Sequence, residues 1–348
     1  MNILLTTRCN RRQCSFCFEQ SVTEIKSRGS SNGPEAENSP VGGRLQEDFL
    51  TSGNYALLLR MAEKWRGVRI CLLGGEPTQH RMIAKFVRDA LKLGRQVIIA
   101  TNGLIHSPRS DELRHILYSA EGRQLLFLVN PYLRLNQPPG ELAVIERNLQ
   151  WMQRACTLGI TVWRDDFDLM PYANLVSRFN LNTVIRVSLS HPMADHENTY
   201  APAHDYQRIG AALKRQGRAL LQRGIRLSCD CGFVACMFAE CHVESAIREG
   251  LADLPQCGIH YMSTCNPLPD IHPDLRASHC LPLASRMRLK LDPAAPLQRQ
   301  EMVEALGTHF KSLECRFLFS RCDACGLRMS GECVAGCLAH RLRLQERH

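Results

Sequence analysis

The sequence predicts an α/β chain: a partial (βα)6 TIM-like barrel followed by a small cysteine-rich domain. Three observations carry that prediction. Six short, continuous apolar runs recur through the first 225 residues, and amphipathic stretches of helical length separate them. Beyond residue 225 this rhythm gives way to Gly, Pro and Cys. A continuous apolar run suits a strand covered on both faces, and parallel neighbours need long crossovers between them. Six units are more than a small doubly wound domain uses and fewer than a closed eight-fold barrel, so an open barrel is the economical solution.

The strand-length runs are NILLTT (2–7), RICLL (69–73), QVIIAT (96–101), QLLFLV (124–129), ITVWR (160–164) and TVIRVSLS (183–190). Helical patterns lie between them, at NYALLLRMAEKW (54–65), RMIAKFVRDALKLG (81–94) and ELAVIERNLQWMQRA (141–155). Gly94 supplies a helix stop. The stretch 25–43 is rich in Gly, Ser and Pro and has no period, which reads as a flexible insertion, a surface loop or a lid. The expected division is therefore 1–225 for the barrel and 226–348 for the cysteine-rich domain.

The 348 residues are 45% hydrophobic and 22% charged, enough to bury a sizeable core. No apolar run approaches the ~20 residues of a membrane span, and the N-terminus lacks the basic and apolar regions of a secretory signal. A cytoplasmic protein with no membrane partner is the expectation. The formal charge of +9 falls largely on Arg-rich faces such as 213–226, read as solvated helix surface, so nucleic acid is not an expected partner.

Seventeen cysteines are many for a cytosolic chain. Disulfides do not persist in a reducing compartment, so clustered thiols there point to metal or redox chemistry. Three lie at 9–17, seven at 229–280 and five at 315–337; Cys71 and Cys156 stand apart and read as buried structural thiols. The first group, Cys9, Cys14 and Cys17, follows the first strand, where a barrel keeps its chemistry. A closed tetrahedral metal site takes four ligands, and an iron–sulfur cube has four irons to cap. Three thiolates leave one position open for a reactant. Phe16, just before Cys17, would shield such a cluster from water.

Three motifs in order, CSFC at 14–17, GGEP at 74–77 and TNG at 101–103, each at the end of an expected strand, resemble the radical S-adenosylmethionine superfamily. The resemblance covers essentially the whole chain. One departure is the spacer NRRQ, which puts four residues between Cys9 and Cys14 where three are usual. The resemblance implies a [4Fe–4S] cluster on Cys9, Cys14 and Cys17, with S-adenosylmethionine on its free iron. Gly74 and Gly75 would let the backbone come close to the cofactor, with Pro77 closing that run, and Glu76 would accept from its ammonium. Asn102 or Asn130 would contact ribose or adenine, or else serve their turns. Arg186 and Ser188 are further candidates for the carboxylate and ribose. His191 reads equally as a loop residue or a catalyst. The implied chemistry is reductive cleavage of S-adenosylmethionine to a 5′-deoxyadenosyl radical, which abstracts a hydrogen atom from a substrate.

In the tail, Cys322-x2-Cys325-x7-Cys333-x3-Cys337 is a metal-ligand pattern, preceded by Cys257, Cys265 and Cys280. It resembles the SPASM/twitch extension, which implies one or two auxiliary [4Fe–4S] clusters. The segment DIHPDL resembles the hairpin normally found before the cysteine equivalent to Cys280, with Leu275 where glycine is usual. By that resemblance Cys265, Cys280 and Cys337 hold one cluster, with Cys257 as fourth ligand, and Cys322, Cys325 and Cys333 hold another. The usual last ligand does not follow in this sequence. Cys229, Cys231, Cys236, Cys241 and Cys315 are the candidates to replace it, and DCGFVACMF resembles a segment of twitch-type relatives, so Cys231 and Cys236 enter the expected metal set. Structural zinc would tolerate the same spacing.

Enzymes of this kind most often oxidise or crosslink a peptide or protein, so a peptide maturase is the expectation. It would be served by an external one-electron donor of flavodoxin or ferredoxin type. The first strand begins at residue 2, so a leader peptide would be read by the barrel mouth, the insertion or a separate leader-binding protein. A carbohydrate or other small metabolite is the alternative substrate. A non-catalytic iron–sulfur electron carrier and a zinc-stabilised binding module are the alternatives of another class.

Overall fold

The computed structural model describes residues 1–11, 14–17, 49–65, 67–133, 138–194, 197–263, 265, 269–292, 297–311 and 317–345. The insertion expected at 25–43 and the candidate ligand Cys315 lie outside the described residues.

Eight strands pair side by side and parallel: β1 (Asn2–Thr6), β2 (Ile70–Gly74), β3 (Val97–Thr101), β4 (Leu125–Val129), β5 (Cys156–Val162), β6 (Val184–Leu189), β7 (Arg226–Cys229) and β8 (Ile259–His260). The helices between them are α1 (Ser52–Lys64), α2 (Ile83–Lys92), α3 (Arg109–Leu117), α4 (Pro139–Met152), α5 (Met170–Arg178), α6 (Tyr206–Leu221) and α7 (Glu244–Ala252). On the other side of β1 the chain returns as β9 (Asp270–Ile271), parallel to β1, and continues antiparallel through β10 (Arg276–Ser278) and β11 (Leu289–Lys290). The tail carries α8 (Arg299–His309), the single turn α9 (Gly326–Met329) and α10 (Leu338–Gln345).

Alternation along each strand decides which side chains reach the site. Ile70 and Leu72, Val97 and Ile99, Leu125 and Phe127, and Ile185 and Val187 are buried against the helices. Each such side chain contributes roughly 1.5–3 kcal/mol. The partly exposed set between them, including Ala100, Leu128, Thr161, Arg186 and Ser188, turns to the interior of the open barrel, in register across neighbouring strands. Helix α2 answers with Ile83, Phe86, Val87 and Ala90, the i, i+3, i+4, i+7 stripe of a half-buried helix. Thr51 starts α1, its hydroxyl accepting from Asn54 N at 3.1 Å.

Several elements differ from the sequence expectation, which gave six parallel strands where the sheet has eight side by side, β7 and β8 being the additions. β5 begins at Cys156, four residues before the apolar run, because α4 stops at Met152 and one tight turn (Gln153–Ala155) returns the chain to the sheet. Thr157 and Gly159 break the apolar run but both sit on its inward face. β7 is a strand that the apolar pattern did not show, being four residues long with an arginine at its start. The division expected at 225 thus falls within a continuous sheet, and one apolar core runs from Met1 to Cys333. The cysteine-rich part covers both open edges of the barrel, with β8 beside β7 and β9 beside β1. In the turn between β9 and β10, Leu275 takes φ +59°, the left-handed conformation that glycine would adopt without strain. Among the described residues no helix is long and apolar enough to cross a membrane.

Candidate active site

Because β1, β2 and β3 are parallel, their C-terminal ends lie along one edge, and the three sequence motifs meet there. The fastening is Glu76, whose side chain is fully buried. Oε1 accepts from Thr78 N at 3.1 Å, Thr78 Oγ1 at 2.7 Å and Thr101 Oγ1 at 2.8 Å, and Oε2 accepts from Asn102 N at 2.7 Å. Burial pushes the carboxyl pKa above its usual range, while these donors oppose the rise. The expected partner of Glu76 was a cofactor ammonium; its observed partners join the loop after β2 to the loop after β3.

The glycines before it serve a related purpose. A Cβ on Gly74, at φ +146°, would sit 2.2 Å from Thr6 O, and one on Gly75 would sit 2.4 Å from Arg8 O. Gly75 N donates to Thr6 O and Glu76 N to Arg8 O, each at 2.8 Å. The close backbone approach read from Gly-Gly is therefore made by the chain's own cysteine loop, which lies directly on this pair. Pro77 opens the short turn Pro77–Gln79.

Cys9 receives Arg11 N at 3.4 Å and Asn102 Nδ2 at 3.7 Å. Asn102 also donates to Asn10 Oδ1 at 2.8 Å, so its amide is committed to the cysteine loop. The long spacer is pinned at two of its residues. Asn10 donates to Leu104 O at 2.9 Å, and Arg11 donates to Pro131 O at 2.6 Å and to Glu141 Oε2 at 2.9 Å. An unpaired guanidinium so buried would cost several kcal/mol, so the acceptors on its two terminal nitrogens anchor the loop. Cys17 N donates to Cys14 O at 3.0 Å, and Ser15 O accepts from Thr199 N at 2.8 Å, which links the loop to the segment after β6. Phe16 stacks on Trp163 with centroids 4.8 Å apart and meets Tyr132 edge-on at 4.9 Å. Burial raises the Cys9 thiol pKa above the usual range.

The barrel wall completes the surroundings. The Asn130 amide lies over Gly159, where any Cβ would fall 1.9 Å from its Oδ1. Arg186 and Ser188 both bond Asp230, at the exit of β7. His191 rests on Gly232, whose Cβ would meet its ring at 2.1 Å, and it faces His340 of α10 edge-on. Cys71 faces the interior low in the barrel, its pKa pushed up to about 11 by burial, and Cys156 is fully buried.

The tail thiols fall into two groups. Cys236, Cys322, Cys325 and Cys333 line one cavity, its other walls including Val234, Ile247, Phe319 and Leu327. Burial, and then the neighbouring Cys333 and Cys322, push the Cys236 pKa up to about 12. Cys231 is exposed and lies near Arg186, Cys241 is exposed, and Cys229 is buried within β7, so of the candidates among the described residues Cys236 alone lines this cavity. In the second group Cys280 and Cys337 pack around Leu283, Phe310, Leu338 and Ala339, with Cys265 close enough to influence Cys280. Cys257, the expected fourth ligand there, lies elsewhere: its thiol donates to Asp253 Oδ2 at 3.6 Å, and its carbonyl packs on Gly217 of α6.

A tetrahedral zinc with bonds of about 2.3 Å holds thiolates only about 3.8 Å apart. Among the described residues no three Cys, His, Asp or Glu side chains gather closely enough for a single ion. A cube of four irons and four sulfides takes its thiolates farther apart, and the apolar four-thiol cavity suits that donor set.

Sequence reading missed Arg11, Thr101, Tyr132, Trp163 and Asp230. Thr101 lay within the TNG motif, Arg11 within the NRRQ spacer and Asp230 within DCGFVACMF, while Tyr132 and Trp163 had no motif to announce them. Asp230 follows a strand whose apolar signal was too short to see.

No protein-family model matches the chain, and comparison with curated proteins finds no match. Solved structures share its fold, three crystal structures of one protein among them. Streptococcus suis SuiB bound to S-adenosylmethionine superposes with a TM-score of 0.64 at 15% identity, over 97% of this chain and 72% of SuiB. SuiB by itself gives 0.62 at 14%, over 97% and 73%, and SuiB bound to its precursor peptide SuiA gives 0.61 at 14%, over 97% and 71%. At that identity the likeness establishes the fold.

Proposed function

We propose that this protein is a radical S-adenosylmethionine enzyme that oxidatively modifies a peptide or protein. The observation that carries the reading is the convergence of the three motif loops, with Cys9 beside Asn102 and Glu76 tying GGEP to TNG. The fold shared with SuiB, which has been crystallised with S-adenosylmethionine and with a precursor peptide, supports both the cofactor and the substrate class.

Cys9, Cys14 and Cys17 would hold a [4Fe–4S] cluster and leave one iron for S-adenosylmethionine. When bound, that pair supplies an electron to the sulfonium and so the 5′-deoxyadenosyl radical. The chain's own residues prepare the site. Arg11 N and the Asn102 amide donate toward the Cys9 sulfur, which favours its thiolate form. Phe16, Trp163 and Tyr132 put an aromatic wall beside the loop and exclude water. Asn130, Arg186 and Ser188 are polar groups of the barrel wall that ribose or carboxylate would meet, with Asp230 positioning the last two. Cys236, Cys322, Cys325 and Cys333 would hold an auxiliary cluster, and a flavodoxin- or ferredoxin-type protein would supply electrons.

The test is anaerobic protein with dithionite and S-adenosylmethionine. Formation of 5′-deoxyadenosine that falls below detection in Cys14→Ala supports the assignment. Undiminished cleavage in that variant, or zinc in place of iron, overturns it.

A further inference from the structure

We infer that Arg328, with a smaller contribution from Arg321, raises the reduction potential of the auxiliary cluster that Cys236, Cys322, Cys325 and Cys333 would hold. The inference deepens the function proposed above and rests on it. Both side chains stand at the thiol cavity. Arg328 lines it, and Arg321 lines a second cavity that meets the first at Cys236 and Phe319. Reduction adds one negative charge to a cluster, so a fixed cation beside it stabilises the reduced form more than the oxidised form.

The local structure explains why the charge sits there. α9 begins directly after Cys325, and Arg328 lies on its single turn. Its guanidinium folds back over the cysteine loop: Nε donates to Cys322 O at 2.7 Å, and a terminal nitrogen donates to Asp323 O at 2.9 Å. Its Cζ lies 4.5 Å from the centre of the Phe317 ring, and Cζ of Arg321 lies 4.5 Å from that of Phe319. Carbonyls and ring faces orient a guanidinium without cancelling its charge. Among the described residues neither arginine pairs with a carboxylate, and no acidic side chain lines either cavity. Other cations near the two sites are compensated: Arg248 of α7 pairs with Glu244 and Glu332, and Arg11 at the mouth pairs with Glu141. Val234, Ile247 and Leu327 make the remaining wall apolar, where a charge is screened less than in water. Arg321 is exposed, so solvent screens more of its effect.

The experiment is a redox titration followed by EPR, on full-length protein anaerobically reconstituted with iron and sulfide. The signal of this site is the one missing from Cys236→Ala. Arg328→Gln keeps an amide that can donate to the carbonyls but removes the charge. It should retain the iron of wild type and move the midpoint to a more negative potential. Arg321→Gln should move it the same way by less, and Arg328→Lys, which keeps the charge, should stay close to wild type. An unchanged midpoint in both glutamine variants overturns the inference. So does a lysine variant that shifts as far as Arg328→Gln, because geometry and not charge would then set the potential. Loss of the signal from Arg328→Gln makes that side chain a brace of the cysteine loop and overturns the inference too. Protein that cleaves S-adenosylmethionine, with no signal that Cys236→Ala removes, overturns this inference and leaves the proposed function standing. Protein that binds only zinc overturns both.

Discussion

At the barrel mouth, Cys9 is met by two N–H donors, among loops fastened through a buried carboxylate and a paired arginine. In the tail, Cys236, Cys322, Cys325 and Cys333 line a cavity whose walls are mainly aliphatic and aromatic. The first three thiols come from one short loop; the second four come from segments about ninety residues apart. The difference follows from what each site would hold. A position that takes up and releases a charged cofactor needs polar groups and an opening to solvent. A site that stores an electron is better served by low dielectric and exclusion of water.

Substitutions can break that comparison. The largest effect is expected at Cys236. Cys236→Ala should lose about one cluster's worth of iron, four atoms per chain on the cube's stoichiometry, while Cys231→Ala keeps its full complement. Equal losses in the two variants would remove Cys236 from the site.

At the mouth, Glu76→Ala would strand Thr78 N and Asn102 N without their acceptor. A cost of about 2–4 kcal/mol is expected from two such buried donors, seen as a lower thermal midpoint with weaker S-adenosylmethionine binding. Glu76→Gln should cost less. An unchanged midpoint in Glu76→Ala would show that the loops do not depend on it.

Arg11→Met keeps the bulk and removes the charge. It should cost about 1–3 kcal/mol, because Glu141 and Pro131 O lose a charged donor. Its effect should appear as loss of iron from the mouth and not from the tail cavity.

An effect seen through pH lies where the two regions join. Asp270 of β9 is buried beside β1, receives Asn2 Nδ2 at 2.7 Å, and has its pKa pushed up to about 7, chiefly by burial. The folded protein therefore keeps a proton, between roughly pH 4 and 7, that the unfolded chain gives up. Stability falls as pH rises through that window and is level above it. Asp270→Asn should flatten the slope and be the more stable form at pH 8, by roughly 1–3 kcal/mol. A slope that survives in the variant would locate the titration elsewhere.

Much of the mouth was legible because its motifs are local. The trio, GGEP and TNG each close a strand, and parallel strands must bring such ends to one edge. Their partners were not legible. That Glu76 would bond Thr101 and Asn102, or that Gly75 would lie under Arg8 O, depends on how closely three loops stack. The fourth thiol of the tail cavity was undecided for the same reason. Several cysteines at 229–241 are near one another in sequence, and only the direction each leaves β7 separates Cys236 from exposed Cys231.

By itself the sequence determined the first six parallel strands, their order and the edge on which the three motifs meet, because strand period and apolar continuity are local properties of the chain. Tertiary structure alone decided that the cysteine-rich part belongs to the same sheet and core, that Cys257 turns to Asp253, and that Cys236 lines the tail cavity. Those outcomes depend on contacts between segments tens of residues apart, where side-chain direction and close packing, not spacing, choose the neighbours.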